Sequence, residues 1–366
     1  MKGTIKDSPA SPESRKAGRW RAGNRQQTRP PRLSPAKRDD DGQATDQRLK
    51  LGVVGVGYLG EFHAQKYAAM EEIDLVGLVD TDFKRAQEMA RKYNTKAYNS
   101  YTEILSFVDG LSLAVPTVSH FEIGHDILDH GIHLLIEKPI TLTLSDADKL
   151  IEVAKKNNTI LQVGHIERFN PAVVKMESLL SKPFFIDSHR LAFFTNRGTD
   201  VDVILDLMIH DLDIILHIVN SEITEIHAVG MPVVSDKIDI ANVRIIFSNG
   251  TVANLTVSRV SSESLRTMRI FQPNNCISID YGKRKISVTQ FKVNEKSFTD
   301  LPSLDHKEDA FPDSDPLADQ IRSFIESIKT RTEPQVTGVD GKKALAVALS
   351  IIDQIKRNKS KDIILN

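Results

Sequence analysis

The sequence predicts an α/β protein with two domains: a Rossmann domain, which is a doubly wound parallel sheet, and a C-terminal α/β domain with a large open, mainly antiparallel sheet. Short apolar runs alternate with amphipathic segments from Leu49 to about residue 167, and a glycine-rich turn follows the first run. Longer stretches of alternating polarity follow residue 168. We therefore divide the chain into residues 1–47, 48–167 and 168–366.

Composition narrows the class of protein. The chain has 366 residues, 40% hydrophobic content and a formal net charge of −1, so it is long enough for two domains and shows no global nucleic-acid signal. It has one cysteine, Cys276, which excludes an intramolecular disulfide and fits a reducing, cytoplasmic location. No apolar run reaches the roughly 18 residues of a membrane span, so no membrane partner is expected.

Residues 1–47 differ from the rest, because they are rich in Arg, Pro, Ser and Gly and nearly lack large apolar side chains. This composition predicts a disordered tail. The tail has no apolar core of a secretory signal, which leaves a basic binding segment or a misassigned translation start as alternatives.

The runs "LKLGVVG", "IDLVGLVD", "GLSLAVP", "HLLIEKP" and "ILQVGH" predict buried strands, and the amphipathic segments between them predict helices, as expected for a parallel sheet. In the second domain, "IDIANVRIIFSNGTVANLTVSRV" predicts two strands joined by a hairpin at Asn249-Gly250, where both residue types tolerate positive φ. Helices near 315–329 and 341–357 end the chain, and the pattern does not decide on which domain they pack.

The first strand runs into a GxGxxG turn at the start of a helix, an arrangement that lets the backbone approach a pyrophosphate. Asp80 ends the next strand, where a carboxylate accepts hydrogen bonds from a ribose. Because Asp80 repels a 2′-phosphate, NAD is favoured over NADP, although Lys84 and Arg85 lie close by. The cofactor contacts predicted in this segment are Gly55, Gly57, Tyr58, Leu59, Gly60 and Asp80.

Two further strand ends lie at the same edge of the sheet. "AVPTVSH" supplies Pro116, Thr117 and His120 as predicted cofactor contacts, with a plain turn as the alternative. "LLIEKPI" ends in Glu137 and Lys138, both predicted at the cofactor crevice. A lysine there stabilises alkoxide character on a substrate oxygen, whereas the alternative is a lysine reaching solvent from a strand end.

The segment "VILDLMIHDLDIILHIV" places Asp206, His210, Asp213 and His217 on one face of an otherwise apolar helix. Buried charges must be paired, bind a metal or line a solvated cleft. No second cluster with ligand spacing supports a metal, so none is predicted.

Together, the glycine turn, Asp80, "VPTVSH", "EKP" and "DLMIHDLD" resemble the Gfo/Idh/MocA oxidoreductases over roughly residues 48–358. The resemblance implies NAD-dependent oxidation of a sugar hydroxyl, with Lys138, Asp206 and His210 as catalytic residues. It also implies that the Lys138-Pro139 peptide is cis. On this basis His210 takes the hydroxyl proton, Lys138 holds the oxygen and Asp206 orients or tunes the imidazole. Asp213 and His217 are expected to be structural.

Within the family, "VGHIERFNPAV" and "SRVSSESLRTMRIFQPNNCISIDY" resemble nucleotide-sugar members, in particular those that oxidise C3 of UDP-N-acetylglucosamine for lipid A biosynthesis. Such members imply a downstream aminotransferase partner. A homodimer or homotetramer is also expected, because an exposed sheet face in the second domain would favour association if left uncovered. Arginine forks suit a pyrophosphate. Arg168 and Asn170 are the predicted substrate contacts, and the other polar candidates are Arg190, Arg197, Arg259, Arg266 and Arg269, of which Arg266 and Arg269 also fit a solvated strand face.

Two alternatives stay open at this point. A dehydrogenase of a free cyclitol or sugar would leave the arginines without a phosphate partner. A non-catalytic sensor of NAD or sugar would have no physical need for the set Lys138, Asp206 and His210.

Overall fold

A computed structural model of the chain describes residues 48–195, 201–292 and 303–362. The predicted disordered tail, residues 1–47, and the candidate Arg197 lie outside the described residues.

The N-terminal domain is a six-stranded parallel sheet with strand order β3-β2-β1-β4-β5-β6. The reversal of order between β1 and β4 opens a crevice at the carboxyl edge of the sheet, where ligands bind in this architecture. The strands are β1 (Leu49–Val54), β2 (Ile73–Val79), β3 (Lys96–Tyr98), β4 (Gly110–Leu113), β5 (His133–Glu137) and β6 (Leu161–Gly164). The helices between them are α1 (Tyr58–Ala69), α2 (Phe83–Lys92), α3 (His120–Asp129) and α4 (Leu144–Asn157).

The second domain contains an eight-stranded sheet with order β14-β13-β12-β11-β7-β10-β9-β8, in which only β7 and β10 are parallel. The strands are β7 (Phe185–Leu191), β8 (Ile223–Met231), β9 (Ile240–Phe247), β10 (Val252–Ser258), β11 (Leu265–Gln272), β12 (Asn275–Asp280), β13 (Lys285–Lys292) and β14 (Ser303–Ala310). The predicted hairpin joins β9 to β10, with Gly250 at φ +87°. The predicted fold class is thus confirmed.

Helices cover one face of this sheet: α5 (Pro171–Glu177), α6 (Ile209–Val219) and α8 (Gly338–Asp362). Met176, Leu212 and Ile351 from these helices are buried in one cluster with alternate residues of the strands, such as Ile186 and Val243. The opposite face of the sheet carries no helix among the described residues.

The two C-terminal helices connect the domains. Helix α7 (Pro316–Thr330) buries Ile321, Phe324 and Ile325 against the first sheet, in a cluster with Leu51 and Val53. Helix α8 places Leu345 in the core of the first domain and Ala348 and Ile355 in the core of the second. Along the described ranges, no helix is long and apolar enough to cross a membrane.

Candidate active site

The glycine turn leaves room above the start of α1. Gly55 has φ +86°, and a Cβ on Gly60 would lie 1.7 Å from the Gly55 carbonyl oxygen, so the turn and helix pack too closely for larger residues. Around Gly57, in contrast, a Cβ would meet only the Arg85 guanidinium, at 4.0 Å. Gly57 precedes the helix and gives it no side-chain cap. The open space and the helix N-terminus therefore fit the pyrophosphate of a dinucleotide.

Asp80 ties this turn to the end of β2. Its carboxylate accepts hydrogen bonds from the main-chain N–H groups of Val56, at 3.0 Å, and Asp82, at 2.9 Å. The side chain remains partly exposed, so its oxygens keep lone pairs available to a ribose. Arg85 lies near the turn, as a second polar group at the same strand end.

The other predicted cofactor contacts divide into surface and interior groups. Tyr58 is 60% and Leu59 45% exposed at the start of α1, and Pro116 is exposed and Thr117 partly exposed at the end of β4. These four residues border the crevice. Their contact with the cofactor stays a prediction.

His120 and Glu137, in contrast, turn their side chains into the protein. His120 is 1% exposed and lies 2.9 Å from the carbonyl oxygen of Pro139 and 3.0 Å from that of Val115. Burial lowers the pKa of His120. The imidazole thus connects the ends of β4 and β5, and its predicted role at the cofactor is not visible in these contacts.

Glu137 accepts a hydrogen bond from the buried His63 imidazole at 3.0 Å. Burial would raise the pKa of Glu137, but the hydrogen bond and charge of His63, helped by Lys138, hold that pKa below its ordinary value. Glu137 therefore carries a buried negative charge directly before Lys138 and contacts α1 rather than open space.

Lys138 points across the crevice to the second domain. Its ammonium donates to the main-chain oxygen of Asp206 at 2.6 Å and lies 3.4 Å from the Asp206 carboxylate. The Lys138 side chain is 15% exposed and the Asp206 side chain 33%, so both border solvent. The Lys138-Pro139 peptide is cis, as the family resemblance implied.

The segment before α6 differs from the prediction of one regular helix. Residues Ile204–Met208 form a π-helical turn, which then continues as α6. Asp206 lies in this wider turn and contacts Lys138, and His210 forms no hydrogen bond with any described residue. The Asp206 carboxylate thus pairs with Lys138 and forms no hydrogen bond with His210, and its role in orienting or tuning the imidazole stays a prediction.

His210 is held by packing. Its ring meets the buried His165 ring edge to face, with centroids 6.4 Å apart and an interplanar angle of 88°. Burial lowers the pKa of His210 well below its ordinary value, and the positive charges of Lys138, Arg190 and Arg266 add to this effect. The imidazole is therefore neutral at neutral pH, the form that accepts a proton.

A buried ionic network fixes the start of α6. Arg190, on β7, makes a two-point contact with Asp211 at 2.8 and 3.0 Å and donates to Glu167 at 3.1 Å. Its guanidinium also lies 5.1 Å from the centre of the Tyr281 ring. Because Asp211 follows His210 in the chain, this network positions the imidazole relative to the first domain.

The predicted substrate residues Arg168 and Asn170 are 2% exposed. The Arg168 guanidinium lies 3.7 Å from Asp213 and donates to the Gln335 carbonyl at 3.5 Å. Asn170 caps α5 and donates to the Tyr281 carbonyl. Both side chains bind the protein itself, and their contact with substrate stays a prediction.

The other two residues of the helical stripe also pair with protein groups. Asp213 is buried beside Arg168, and burial raises its pKa. His217 lies 3.3 Å from Glu177 on α5. Within the described part of the chain, no cluster of His, Cys, Asp or Glu has the form of a metal site.

Sequence reasoning missed His63, His165 and the arrangement of the arginines. His165 follows the strand run "LQVG" at the carboxyl edge of the sheet, and that position was the available signal. His63 lies one helical turn past Gly60 but meets Glu137 only through the fold.

A cavity of about 610 Å³ lies on the uncovered face of the second sheet. It includes His189, Arg269 and Asp280 and none of Lys138, Asp206 and His210.

Comparison with known proteins assigns both domains. Residues 49–165 match the family described as "Oxidoreductase family, NAD-binding Rossmann fold", and residues 172–273 match the C-terminal domain of the same family. The first domain therefore binds NAD, in agreement with the glycine turn and Asp80.

Two similar proteins, one of them with a solved structure, show which enzymes this chain resembles. UDP-N-acetylglucosamine 3-dehydrogenase from Acidithiobacillus ferrooxidans is 37% identical over 304 residues, which cover 83% of this chain and 96% of that protein. A solved structure of that enzyme superposes with a TM-score of 0.80 and 37% identity, covering 84% of this chain and 98% of that chain. Myo-inositol 2-dehydrogenase from Thermotoga maritima is 25% identical and covers 85% of this chain and 98% of that protein. The chain belongs to the Gfo/Idh/MocA family of NAD-binding oxidoreductases.

Proposed function

We propose that this protein oxidises a hydroxyl of a UDP-N-acetylhexosamine to a ketone with NAD, and that the position oxidised is C3 of UDP-N-acetylglucosamine. The observation that carries the proposal is that the Lys138 ammonium contacts Asp206 and that its charge acts on His210, at the sheet edge that also holds the glycine turn. The choice of substrate is supported by the 37% identity to an enzyme of that name over 96% of its length.

His210 acts as the base. Its neutral imidazole accepts the proton of the reacting hydroxyl, and the edge-to-face contact with His165 holds the ring in place. The low pKa of His210 limits the driving force for this proton transfer, so the oxygen needs a second group to stabilise its developing negative charge.

Lys138 supplies that stabilisation. The ammonium, held by the main-chain oxygen and carboxylate of Asp206, donates to the substrate oxygen as negative charge develops there. NAD held at the glycine turn and Asp80 would supply the hydride acceptor, so that the carbon bearing this oxygen could lose two electrons and become a ketone.

The ketone product indicates which reaction would follow. A 3-keto sugar is a substrate for transamination, so we propose a glutamate-dependent aminotransferase as the next enzyme and lipid A as the destination of the amino sugar. We also propose a cytoplasmic homodimer or homotetramer, because the uncovered face of the second sheet offers a broad surface for a second copy.

The test is NADH formation by the purified protein with UDP-N-acetylglucosamine, UDP-N-acetylgalactosamine, UDP-glucose and myo-inositol in parallel, each with and without a coupled 3-aminotransferase. The proposal predicts turnover with a UDP-hexosamine, increased by removal of the ketone. Turnover with myo-inositol alone would assign the protein to the cyclitol dehydrogenases. NAD binding without any turnover would favour a sensor.

A further inference from the structure

Arg266 lies opposite a second arginine. It is the second residue of β11 and pairs in register with Arg190 on β7. Residues directly opposite each other in an antiparallel pair point to the same face. Arg190 points towards α6, so Arg266 lies on this helix-covered face, which also buries Met268 and Ile270 further along β11. Unlike these two residues, Arg266 is exposed.

The two arginines differ in their counter-charges. Arg190 is neutralised by Asp211 and Glu167, whereas the side chain of Arg266 has no ion pair or hydrogen bond to any described residue. Like charges that face each other across a strand pair destabilise a sheet. The carboxylates on Arg190 offset this repulsion only in part, and since no carboxylate of the described chain pairs with Arg266 itself, its exposed guanidinium fits a bound anion.

Arg266 also lies near the reacting groups. Its partner Arg190 binds Asp211, the neighbour of His210, and the positive charge of Arg266 is among those that disfavour protonation of His210. An anion held by Arg266 would therefore be attached to, or close to, the molecule whose hydroxyl meets His210.

The other arginine candidates that the structure describes do not offer a comparable group. Arg168 is buried beside Asp213, and Arg259 donates to the carbonyl of Val201. Arg269 lies three residues along β11 on the opposite face and pairs with Asp187 at 2.5 Å.

We propose that Arg266 binds the diphosphate of the nucleotide-sugar substrate and thereby selects nucleotide sugars over free sugars. This inference rests on the proposed function and deepens it. The planar guanidinium forms paired hydrogen bonds to phosphate oxygens, and the neighbouring Arg190, already saturated by carboxylates, keeps its own structural role.

The experiment is calorimetric titration of the NAD-saturated protein with UDP and with uridine, which lacks the diphosphate. Arg266→Gln should weaken UDP binding about 10- to 100-fold and leave uridine binding unchanged. Arg266→Lys should show an intermediate loss of affinity for UDP, because lysine keeps the positive charge but lacks the planar guanidinium. Arg269→Gln, a change of the same type on the same strand but on the opposite face, should stay within about twofold of the unmodified protein.

Two results would overturn the inference, and only the second would also reject the proposed substrate class. If Arg266→Gln binds UDP as the unmodified protein does, Arg266 is not the diphosphate contact, while UDP binding itself still supports the proposed substrate class. If the unmodified, NAD-saturated protein binds neither UDP nor UDP-N-acetylglucosamine, the inference and the proposed substrate class both fail.

Discussion

The ammonium of Lys138 lies 2.6 Å from the main-chain oxygen of Asp206 and 3.4 Å from its carboxylate, across the opening between the two domains. This contact joins the end of a Rossmann strand to the π-helical turn that precedes α6. The pair therefore depends on the relative placement of the domains, and the ammonium is positioned before substrate enters.

Lys138→Met should lower kcat by roughly three orders of magnitude, because the alkoxide loses its charged donor. Asp206→Asn keeps the main-chain contact and the shape of the side chain, so its decrease in kcat should be smaller, about 10- to 100-fold. Steady-state kinetics with the UDP-hexosamine measure both values. NAD binding, measured by calorimetry, should stay unchanged in Asp206→Asn. A Lys138→Met protein with more than a tenth of the original kcat would exclude the assigned role.

The pH dependence of kcat/KM should reflect His210. Since the base must be neutral and its pKa lies well below the ordinary value of 6.5, activity should be constant from neutral pH down to below 6.5 and fall only at lower pH. Arg266→Gln removes one of the positive charges that lower this pKa, and its acidic limb should move to higher pH. His210→Asn should abolish turnover at all pH values, and an unchanged profile in that variant would show that another group takes the proton.

Arg190→Met should destabilise the fold by about 3–5 kcal/mol, because it leaves the carboxylate of Asp211 buried without its partner. Urea denaturation followed by circular dichroism measures the loss of stability. The double variant Arg190→Met, Asp211→Leu should recover much of the stability. A double variant as unstable as the single one would mean that Arg190 acts by packing rather than by charge.

His133 should make stability depend on pH. The buried ring accepts a hydrogen bond from the Ile160 N–H at 2.8 Å, and burial, with the charge of Arg331, lowers the pKa of His133 to about 4. Between pH 6.5 and about 4 the unfolded chain binds a proton that the folded chain does not, so this contribution is complete above pH 6.5 and is lost as pH falls.

His133→Asn keeps an acceptor for the Ile160 N–H but cannot titrate. The slope of unfolding free energy against pH between 4 and 6.5 should therefore decrease by about one proton, or about 1.4 kcal/mol per pH unit. Equal slopes for the two proteins, measured by urea denaturation at several pH values, would contradict the assignment.

The sequence was sufficient for features that depend on local pattern. The glycine turn, Asp80, the hairpin at Asn249-Gly250 and the two sheets all follow from residue types at short spacing. The contact of Asp206 with Lys138 could not be predicted in this way, because regular helical geometry was assumed where the chain forms a π-helical turn.

Contacts between segments that are distant in the chain also could not be predicted from the sequence. Glu137 meets His63 across 74 positions, and Arg168 meets Gln335 across 167. A strand-end carboxylate or an arginine has the same local pattern whether it faces a ligand or the interior. This is why Arg266 ranked below Arg168 as a substrate contact on sequence alone, although the structure exposes Arg266 and buries Arg168.

The central claim is that hydride leaves C3 of a UDP-N-acetylhexosamine within the site of Lys138 and His210. The most direct test uses UDP-N-acetylglucosamine deuterated at C3, with the nicotinamide product analysed by mass spectrometry and the coupled aminotransferase present. The account predicts that the reduced nicotinamide carries deuterium and that substrate deuterated at C4 gives unlabelled product. Unlabelled nicotinamide from the C3-deuterated substrate, with turnover intact, would show that a different carbon is oxidised.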